Sequence, residues 1–211
     1  IYIFNRRKLE AYLEADEADP ASSNDFGKNI IPAMLAAGER MAAYRFSGYW
    51  KDVGTIDSLW DANMDMLAVD SGVQLFDPSW PIYARTPTKP PHFMGSKAVV
   101  SHSMVTGGCE VYGQVENSVL FHSVRVEEGA QVKYSILMPG SVVKAGAVVE
   151  YAIVAENAVI GEGARVGAPP ENDKPEEWGI AVVAEGIKVG DGARVPAKSM
   201  VTRNVKSGGV R

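Results

Sequence analysis

The fold of this chain is decided by residues 136–166, ILMPGSVVKAGAVVEYAIVAENAVIGEGARV. Within this stretch a β-branched residue recurs at every sixth position: Ile136, Val142, Val148, Val154, Ile160 and Val166. A small residue stands two positions before each of the last five, at Gly140, Gly146, Ala152, Ala158 and Ala164. A six-residue repeat is typical of a parallel β-helix, in which each repeat supplies one short strand. We therefore expect the aliphatic side chains to point into the axis, and the small residues to allow sharp corners.

The repeat extends on both sides of this stretch. Before it, two further registers run through Val99, Val105 and Val111, and through Leu120, Val126, Val132 and Met138. After it, the series resumes at Val183, Val189, Val195 and Val201. Three repeats make one coil of about 18 residues, and stacked coils share a continuous core. A sandwich of short strands would instead show period two, with turns roughly every 8–12 residues.

An interruption separates the two parts of the repeat. Its sequence is GAPPENDKPEEWG (167–179), which is rich in proline and in acidic residues. Such a composition predicts an excursion loop from the β-helix. We expect Trp178, near the end of the loop, to pack back onto the coils. The alternative is that the loop contacts a neighbouring subunit or an effector.

Residues 1–67 carry a different pattern, in which strand and helix signals alternate. Ile1–Phe4 and residues 42–46 have the apolar, β-rich composition of short strands. Asn5 can cap a first helix, and a second helix is predicted from near Lys28. A third is predicted from Thr55 to about Leu67.

This order of elements is that of the tail of an α/β domain, too short for a parallel sheet with its crossover units. Because the chain also opens on Ile1 and not on Met, we expect it to be cut from something longer. Residues 78–93 are rich in proline and aromatic residues, which predicts an extended linker. The predicted domains are therefore 1–77 and 94–211, joined by the linker 78–93.

The composition excludes several classes of protein. The 211 residues are 46% hydrophobic and carry a net charge of −5, which is typical of a soluble globular protein and argues against a nucleic-acid partner. One cysteine, Cys109, excludes an internal disulfide framework and favours a reducing compartment. No apolar run approaches the roughly 18 residues of a membrane span. We therefore predict a cytoplasmic protein with no membrane partner.

Two segments contain candidate site residues. In YWKDVGT, Asp52 precedes a glycine-containing turn and a helix, where its carboxylate can bind a cation such as Mg²⁺ or serve only as a capping acid. Trp50 either packs against a sugar ring or belongs to the core. In SSNDFGK, Asp25 either accepts hydrogen bonds from ligand hydroxyls or caps the following helix. The spacing alone leaves these alternatives open.

Other reactive residues have simpler interpretations. The three histidines, His92, His102 and His122, lie at or near the repeat with no acidic partner at fixed spacing, so we expect surface or corner positions. Cys109 is expected to be a buried structural thiol. The chain has no glycine-rich phosphate loop.

The combination of SSNDFGKNIIP, GYWKDVGTIDSLWDANMDML, the WPIY linker segment and a hexapeptide repeat resembles bacterial glucose-1-phosphate adenylyltransferase (ADP-glucose pyrophosphorylase). The resemblance implies a Rossmann-like nucleotidyltransferase domain, of which an α/β remnant is present, followed by a left-handed parallel β-helix. It implies an enzyme that makes ADP-glucose and pyrophosphate from ATP and glucose 1-phosphate for glycogen synthesis.

The same resemblance assigns roles to residues of this chain. It makes Asp52 one of two aspartates that hold Mg²⁺, and it puts Asp25, Phe26 and Trp50 beside the glucose. The nucleotide loop and the other charged ligands of the family lie upstream of the position matching Ile1. We therefore expect no ATP- and glucose-1-phosphate-dependent release of pyrophosphate from this chain alone.

The resemblance also implies assembly and regulation. It implies a homotetramer, or a heterotetramer with a paralogous subunit, and an allosteric effector site near the domain junction. Three other functions stay open: another sugar-1-phosphate nucleotidyltransferase such as mannose-1-phosphate guanylyltransferase, a hexapeptide acyltransferase that uses His102 or His122, and a non-catalytic regulatory subunit. Loss of turnover on removing Asp52 would exclude the last of these.

Overall fold

The structure, a computed structural model, describes residues 1–68, 70–75, 77–84, 87–172 and 179–210. The chain divides into two compact units, Ile1–Ser47 and Gly48–Arg211. The domain and linker boundaries expected at residues 77 and 93 stay predictions.

The second unit contains a parallel β-helix, which confirms the fold expected from the repeat. In the described part of the chain its strands form three parallel sheets of six, and every third strand belongs to the same sheet. One coil is therefore one set of three consecutive strands, and six coils stack along the axis. The strands are β1 Phe93–Met94, β2 Val99–Ser101, β3 Met104–Val105, β4 Glu110–Val111, β5 Gln114–Glu116, β6 Val119–Leu120, β7 Arg125–Val126, β8 Gln131–Lys133, β9 Ile136–Leu137, β10 Val142–Val143, β11 Val148–Glu150, β12 Ala152–Val154, β13 Val159–Ile160, β14 Arg165–Val166, β15 Ala181–Val183, β16 Lys188–Val189, β17 Arg194–Val195 and β18 Met200–Val201.

The repeat is not a uniform six, and this changes which residues form the core. Val143 pairs with Val126 and with Ile160, so that one coil takes 17 residues. The expectation that Ile136, Val142 and Val148 point into the axis was wrong. The fully buried core positions there are the next residues along, Leu137, Val143 and Val149.

The physical reason is that one side of the coil is a residue shorter than the other two. In these 17-residue coils a strict period of six therefore falls out of register by one residue per coil, whereas the coil from Val183 to Val201 takes 18 residues. From Val154 onward the expected inward positions are correct, and Val154, Ile160 and Val166 are fully buried.

The corners use left-handed backbone conformations. Gly140 and Gly146 have φ of +70° and +65°, so they form turns, and the small inward residues are their neighbours Ser141 and Ala147. One corner is built without glycine. It stacks His102, Asn117, Tyr134 and Tyr151, all with φ between +44° and +49°. A positive φ is uncommon for a residue as bulky as tyrosine, so the stacked coils must hold it there.

Buried serines connect successive coils just after this corner. The Ser135 hydroxyl donates to the Lys133 carbonyl oxygen at 2.7 Å and accepts from the Ala152 amide at 3.2 Å. Ser118 repeats the pattern one coil earlier, because its hydroxyl accepts from the Ser135 amide at 3.1 Å. Each hydroxyl therefore satisfies a buried backbone N–H of the next coil.

The helix α3 (Ile56–Asp65) packs on the outside of the sheet that contains β9 and β12. The helix predicted from Thr55 is present and begins with a capping box, since Thr55 and Ser58 exchange side-chain-to-backbone hydrogen bonds. Trp60 is buried, and its indole N–H donates to the Tyr134 carbonyl oxygen at 2.7 Å. It contacts a small second apolar cluster with Ile136, Ile153 and Ile180.

The first unit contains α1 (Arg6–Glu17), a π-helical turn (Phe26–Ile30) and α2 (Ile31–Ala36). Asn5 caps α1 as predicted, with its side-chain oxygen 3.3 Å from the Lys8 amide. The strands expected at Ile1–Phe4 and at residues 42–46 are absent from the described chain, so that prediction was wrong. A strand requires a paired neighbour for its backbone groups, and neither segment has one within the described residues.

The interruption of the repeat lies between β14 and β15, as expected for an excursion. The ladder continues across it, since Val154 pairs with Val183 directly. Trp178, which we expect to pack on the coils, falls outside the described residues.

Candidate functional site

The segment that carries Asp52 is attached to α3 by its alternate side chains. Tyr49 donates its hydroxyl to the Asp65 carboxylate at 2.9 Å. Lys51 forms ion pairs with Asp61 and, at 2.7 Å, with Asp65. The residues between and after them, Trp50 and Asp52, are exposed. This alternation is that of an extended chain, in which successive side chains point to opposite sides.

The ion pairs change the titration of the attached residues. Burial lowers the pKa of Lys51, but its hydrogen bonds to Asp61 and Asp65 outweigh that effect, and the pKa is raised from its usual value. Burial and the hydrogen bond to Asp65 raise the pKa of Tyr49. Both groups therefore keep their protons at neutral pH, so the attachment to α3 persists there.

The Asp52 carboxylate is exposed and lies close to Gly54. Among the residues that the structure describes, no hydrogen bond or ion pair engages it. It therefore does not cap α3, whose cap is Thr55. A free carboxylate is the type of ligand that Mg²⁺ takes, usually with substrate phosphates completing the coordination.

The metal-binding capacity of the described residues around Asp52 is limited. Within the described residues no group of three or more His, Cys, Asp or Glu side chains could hold a metal ion. Asp52 therefore fits the part of one metal ligand, and its role in binding Mg²⁺ stays a prediction.

Trp50 is 64% exposed, so the interpretation of this residue as part of the core was wrong. Its neighbours Tyr49 and Lys51 contact α3, and the indole, like the Asp52 carboxylate, is left exposed. An exposed aromatic ring beside a carboxylate is suited to a polar ring-shaped ligand such as a sugar. Contact with glucose stays a prediction.

Asp25 and Phe26 belong to the first unit. The Asp25 carboxylate accepts from the Lys28 amide at 2.7 Å, so the capping interpretation is confirmed. One carboxylate oxygen takes that bond, and the carboxylate can still accept from a ligand hydroxyl. The Phe26 ring packs against Tyr2 and Phe4, with centroid distances of 6.0 and 5.8 Å. No periodic pattern in the sequence indicates this aromatic cluster.

The histidines differ in their surroundings. His102 Nδ1 lies 2.6 Å from Asn117 Oδ1 at the left-handed corner and is exposed. His122 lines a groove of about 740 Å³ between residues 87–89 and the β-helix. Its Nδ1 is buried with no hydrogen-bond partner in the described structure. His102 thus lies at a corner, as predicted, and no carboxylate is hydrogen-bonded to either ring among the described residues.

Cys109 is a structural thiol, as predicted. It is 1% exposed, and its Sγ–H donates to the Phe121 carbonyl oxygen at 3.0 Å. Burial raises the pKa of the thiol. It therefore stays protonated and unreactive at neutral pH.

Comparisons with known proteins agree with this organisation. The family model described as Nucleotidyl transferase matches residues 1–69, and the model described as GlmU-like, C-terminal hexapeptide matches residues 89–190. The two matches follow the order expected from the repeat and from the motifs. None of the described helices is long and apolar enough to cross a membrane.

Three curated proteins of similar sequence carry the name glucose-1-phosphate adenylyltransferase. That of Clostridium perfringens (strain SM101 / Type A) is 54% identical over 141 residues, which are 67% of this chain and 36% of the relative. That of Clostridium beijerinckii is 53% identical over 136 residues, 64% of this chain and 35% of the relative. That of Bacillus mycoides is 50% identical over 141 residues, 67% of this chain and 38% of the relative. The chain therefore spans little more than a third of the length of these relatives.

Proposed function

Because this chain belongs with the glucose-1-phosphate adenylyltransferases, we propose that it forms part of an enzyme that makes ADP-glucose and pyrophosphate from ATP and glucose 1-phosphate. The observation that carries the proposal is its identity of 50–54% to relatives named for this reaction. The nucleotidyltransferase match at residues 1–69 supports it. Those names also favour ADP-glucose over the products of other sugar-1-phosphate nucleotidyltransferases.

The reaction needs positioning and charge neutralisation more than it needs an acid or base. A phosphate oxygen of glucose 1-phosphate attacks the α-phosphorus of ATP, and the bond to the β-phosphate breaks to release pyrophosphate. The attacking oxygen is already ionised, so no side chain must remove a proton. Mg²⁺ bound at the site would neutralise the phosphate charge. Asp52 is proposed as one of its ligands, because its carboxylate is exposed and unpaired among the described residues.

Three residues are proposed to contact the sugar. Trp50 is exposed beside Asp52 and offers an apolar face to the ring. Asp25 keeps acceptor capacity beyond the bond to Lys28 and suits the sugar hydroxyls. Phe26 follows it directly, with its ring fixed by neighbouring aromatic side chains.

Substitution of Asp52 tests the metal role. In a polypeptide with a complete nucleotidyltransferase domain, Asp52→Ala should lower the rate of pyrophosphate release by about 10²-fold or more, since a metal ligand stabilises transition-state charge. Asp52→Asn should lose as much, because an amide is a poor Mg²⁺ ligand. Asp57→Asn, at an exposed acid of the same region, is the matched control. Full turnover in Asp52→Ala would exclude the metal role of this residue.

The β-helix is proposed to serve assembly and allosteric binding, in a homotetramer or with a paralogous subunit. Its first coil supports a role in assembly, because the strands β1 and β2 are exposed and have a neighbour on one side only among the described strands. Sedimentation of the chain at tens of micromolar tests this. A strict monomer would show that the β-helix does not assemble on its own.

A further inference from the structure

The side chain of Lys51 contacts α3, although its two neighbours in the sequence are exposed candidate site residues. It lies between the two exposed candidate residues, Trp50 and Asp52, yet its own side chain turns to α3. Tyr49 turns the same way. Because side chains alternate along an extended segment, holding residues 49 and 51 against α3 also sets the direction of residues 50 and 52.

The contact with α3 is a bridge between two carboxylates. Asp61 and Asp65 are four residues apart on α3, where like charges repel each other. The Lys51 ammonium pairs with both, and Asp65 accepts the Tyr49 hydroxyl as well. Lys51 therefore attaches the segment to α3 and also offsets the repulsion between the two carboxylates of the helix.

The helix α3 is in turn fixed to the β-helix. Trp60, next to Asp61, donates to the Tyr134 carbonyl oxygen at 2.7 Å and stacks on Tyr151 with the ring centroids 5.8 Å apart. The rings of Tyr134 and Tyr151 stack with centroids 4.8 Å apart. Both tyrosines occupy the left-handed corner that adjacent coils hold in place. A continuous series of contacts thus runs from the coils through α3 to Lys51, the residue beside Asp52.

We propose that Lys51 is a positioning residue for Asp52, and that the β-helix is the frame from which α3 holds this segment. The importance of Asp52 in this inference rests on the proposed function. The orientation of the segment by Lys51 does not, and it is testable without any reaction.

The test is the backbone order of Asp52, measured by ¹⁵N relaxation on the 211-residue chain. In the wild type we expect an order parameter near that of a rigid backbone, about 0.85, and in Lys51→Met a fall below about 0.6. Lys51→Arg should restore the order, because a guanidinium can also bridge two carboxylates. Lys97→Met, which removes the ion pair of Lys97 with Glu128 on the β-helix, is the matched control and should leave Asp52 unchanged.

An Asp52 order parameter in Lys51→Met equal to that of the wild type would overturn the proposal. So would a fall in Lys51→Arg as large as in Lys51→Met, since the cause would then not be the bridging charge. If Lys51→Met loses the resonances of the folded β-helix, Asp61→Asn decides instead, because it removes one partner only. It should give an intermediate order parameter, and no change from wild type would overturn the proposal.

The link to the reaction is measured separately, in a polypeptide with a complete nucleotidyltransferase domain. There Lys51→Met should raise the Mg²⁺ concentration for half-maximal activity by about 10-fold or more, since a misplaced ligand loses much of its effect. Lys51→Arg should restore it. If Asp52→Ala keeps full activity, the proposed function fails, while the order parameters still decide the role of Lys51. If Asp52→Ala is inactive and Lys51→Met keeps the wild-type Mg²⁺ dependence, Lys51 does not position Asp52 for the metal.

Discussion

The central coils of the β-helix and the first 47 residues bury their apolar side chains to very different extents. In the coils, inward residues such as Val126, Leu137 and Val149 have no exposed surface. Among residues 1–47 the buried side chains are those of Ile30 and Met34. Ile3 in the same unit is 98% exposed.

The difference follows from where each residue finds its partners. A coil needs only the coils above and below it, so a few dozen consecutive residues complete their own core. The helices α1 and α2 depend for stability on packing an apolar face against elements distant in sequence. The ends of the β-helix show the same rule. Val100 in the first coil pairs with the buried Val115 and has no neighbour on its other side among the described strands, and it is 36% exposed.

The difference between the two regions predicts that truncating a core residue of the β-helix causes the largest loss in the free energy of unfolding. Leu137→Ala should lower the free energy of unfolding by about 2–5 kcal/mol, because it opens a cavity between stacked coils. Ile3→Ala, which shortens an exposed side chain, should change it by less than about 0.5 kcal/mol. Denaturant unfolding followed by circular dichroism measures both. Equal effects at the two positions would contradict the difference between the regions.

The next effect concerns buried hydroxyls within the β-helix. Ser135→Ala should cost about 1–3 kcal/mol in unfolding free energy, because it leaves the buried Ala152 amide without its acceptor. Ser141→Ala is the matched control. The Ser141 hydroxyl is buried without a partner among the described residues, so its removal should be neutral or slightly stabilising. A larger loss for Ser141→Ala than for Ser135→Ala would disprove the importance of the serine connection.

A smaller effect is expected where α3 meets the coils. Trp60→Phe should lower the unfolding free energy by about 1–2 kcal/mol, since the Tyr134 carbonyl loses its donor. Trp80→Phe, at a ring that is 83% exposed, should have little effect. Thermal unfolding of the two variants side by side gives the comparison. Identical midpoints would mean that the Trp60 hydrogen bond adds no stability.

The smallest effect is a gain in stability at the surface of the coils. Arg165 and Arg194 lie directly opposite each other, the only like-charged pair in the ladders of the described strands. Other charged pairs match opposite signs, as Glu110 does with Arg125. Arg194→Gln should therefore stabilise the chain by a few tenths of a kcal/mol at low salt, and the gain should vanish in 1 M salt. Arg125→Gln should give no gain, and a loss of stability in Arg194→Gln would show that Arg194 has a favourable partner.

Several parts of the site were accessible from local sequence. The caps Asn5, Asp25 and Thr55 bond amides three residues away, so their chemistry is contained in a few neighbouring letters. The exposure of Trp50 could not be predicted from neighbouring residues. It depends on Lys51 reaching two carboxylates that become neighbours only when the segment folds back on α3.

The sequence by itself determined that the chain forms stacked coils, because a repeat of six selects a β-helix whatever lies around it. Only the tertiary structure decided which residue of each repeat faces the axis, since one side of the coil is a residue short and Leu137 takes the place expected for Ile136. It also decided that Ile136 packs in the cluster with Trp60, a residue far away in sequence. Periodicity measures spacing along the chain, whereas register and docking depend on contacts between distant residues.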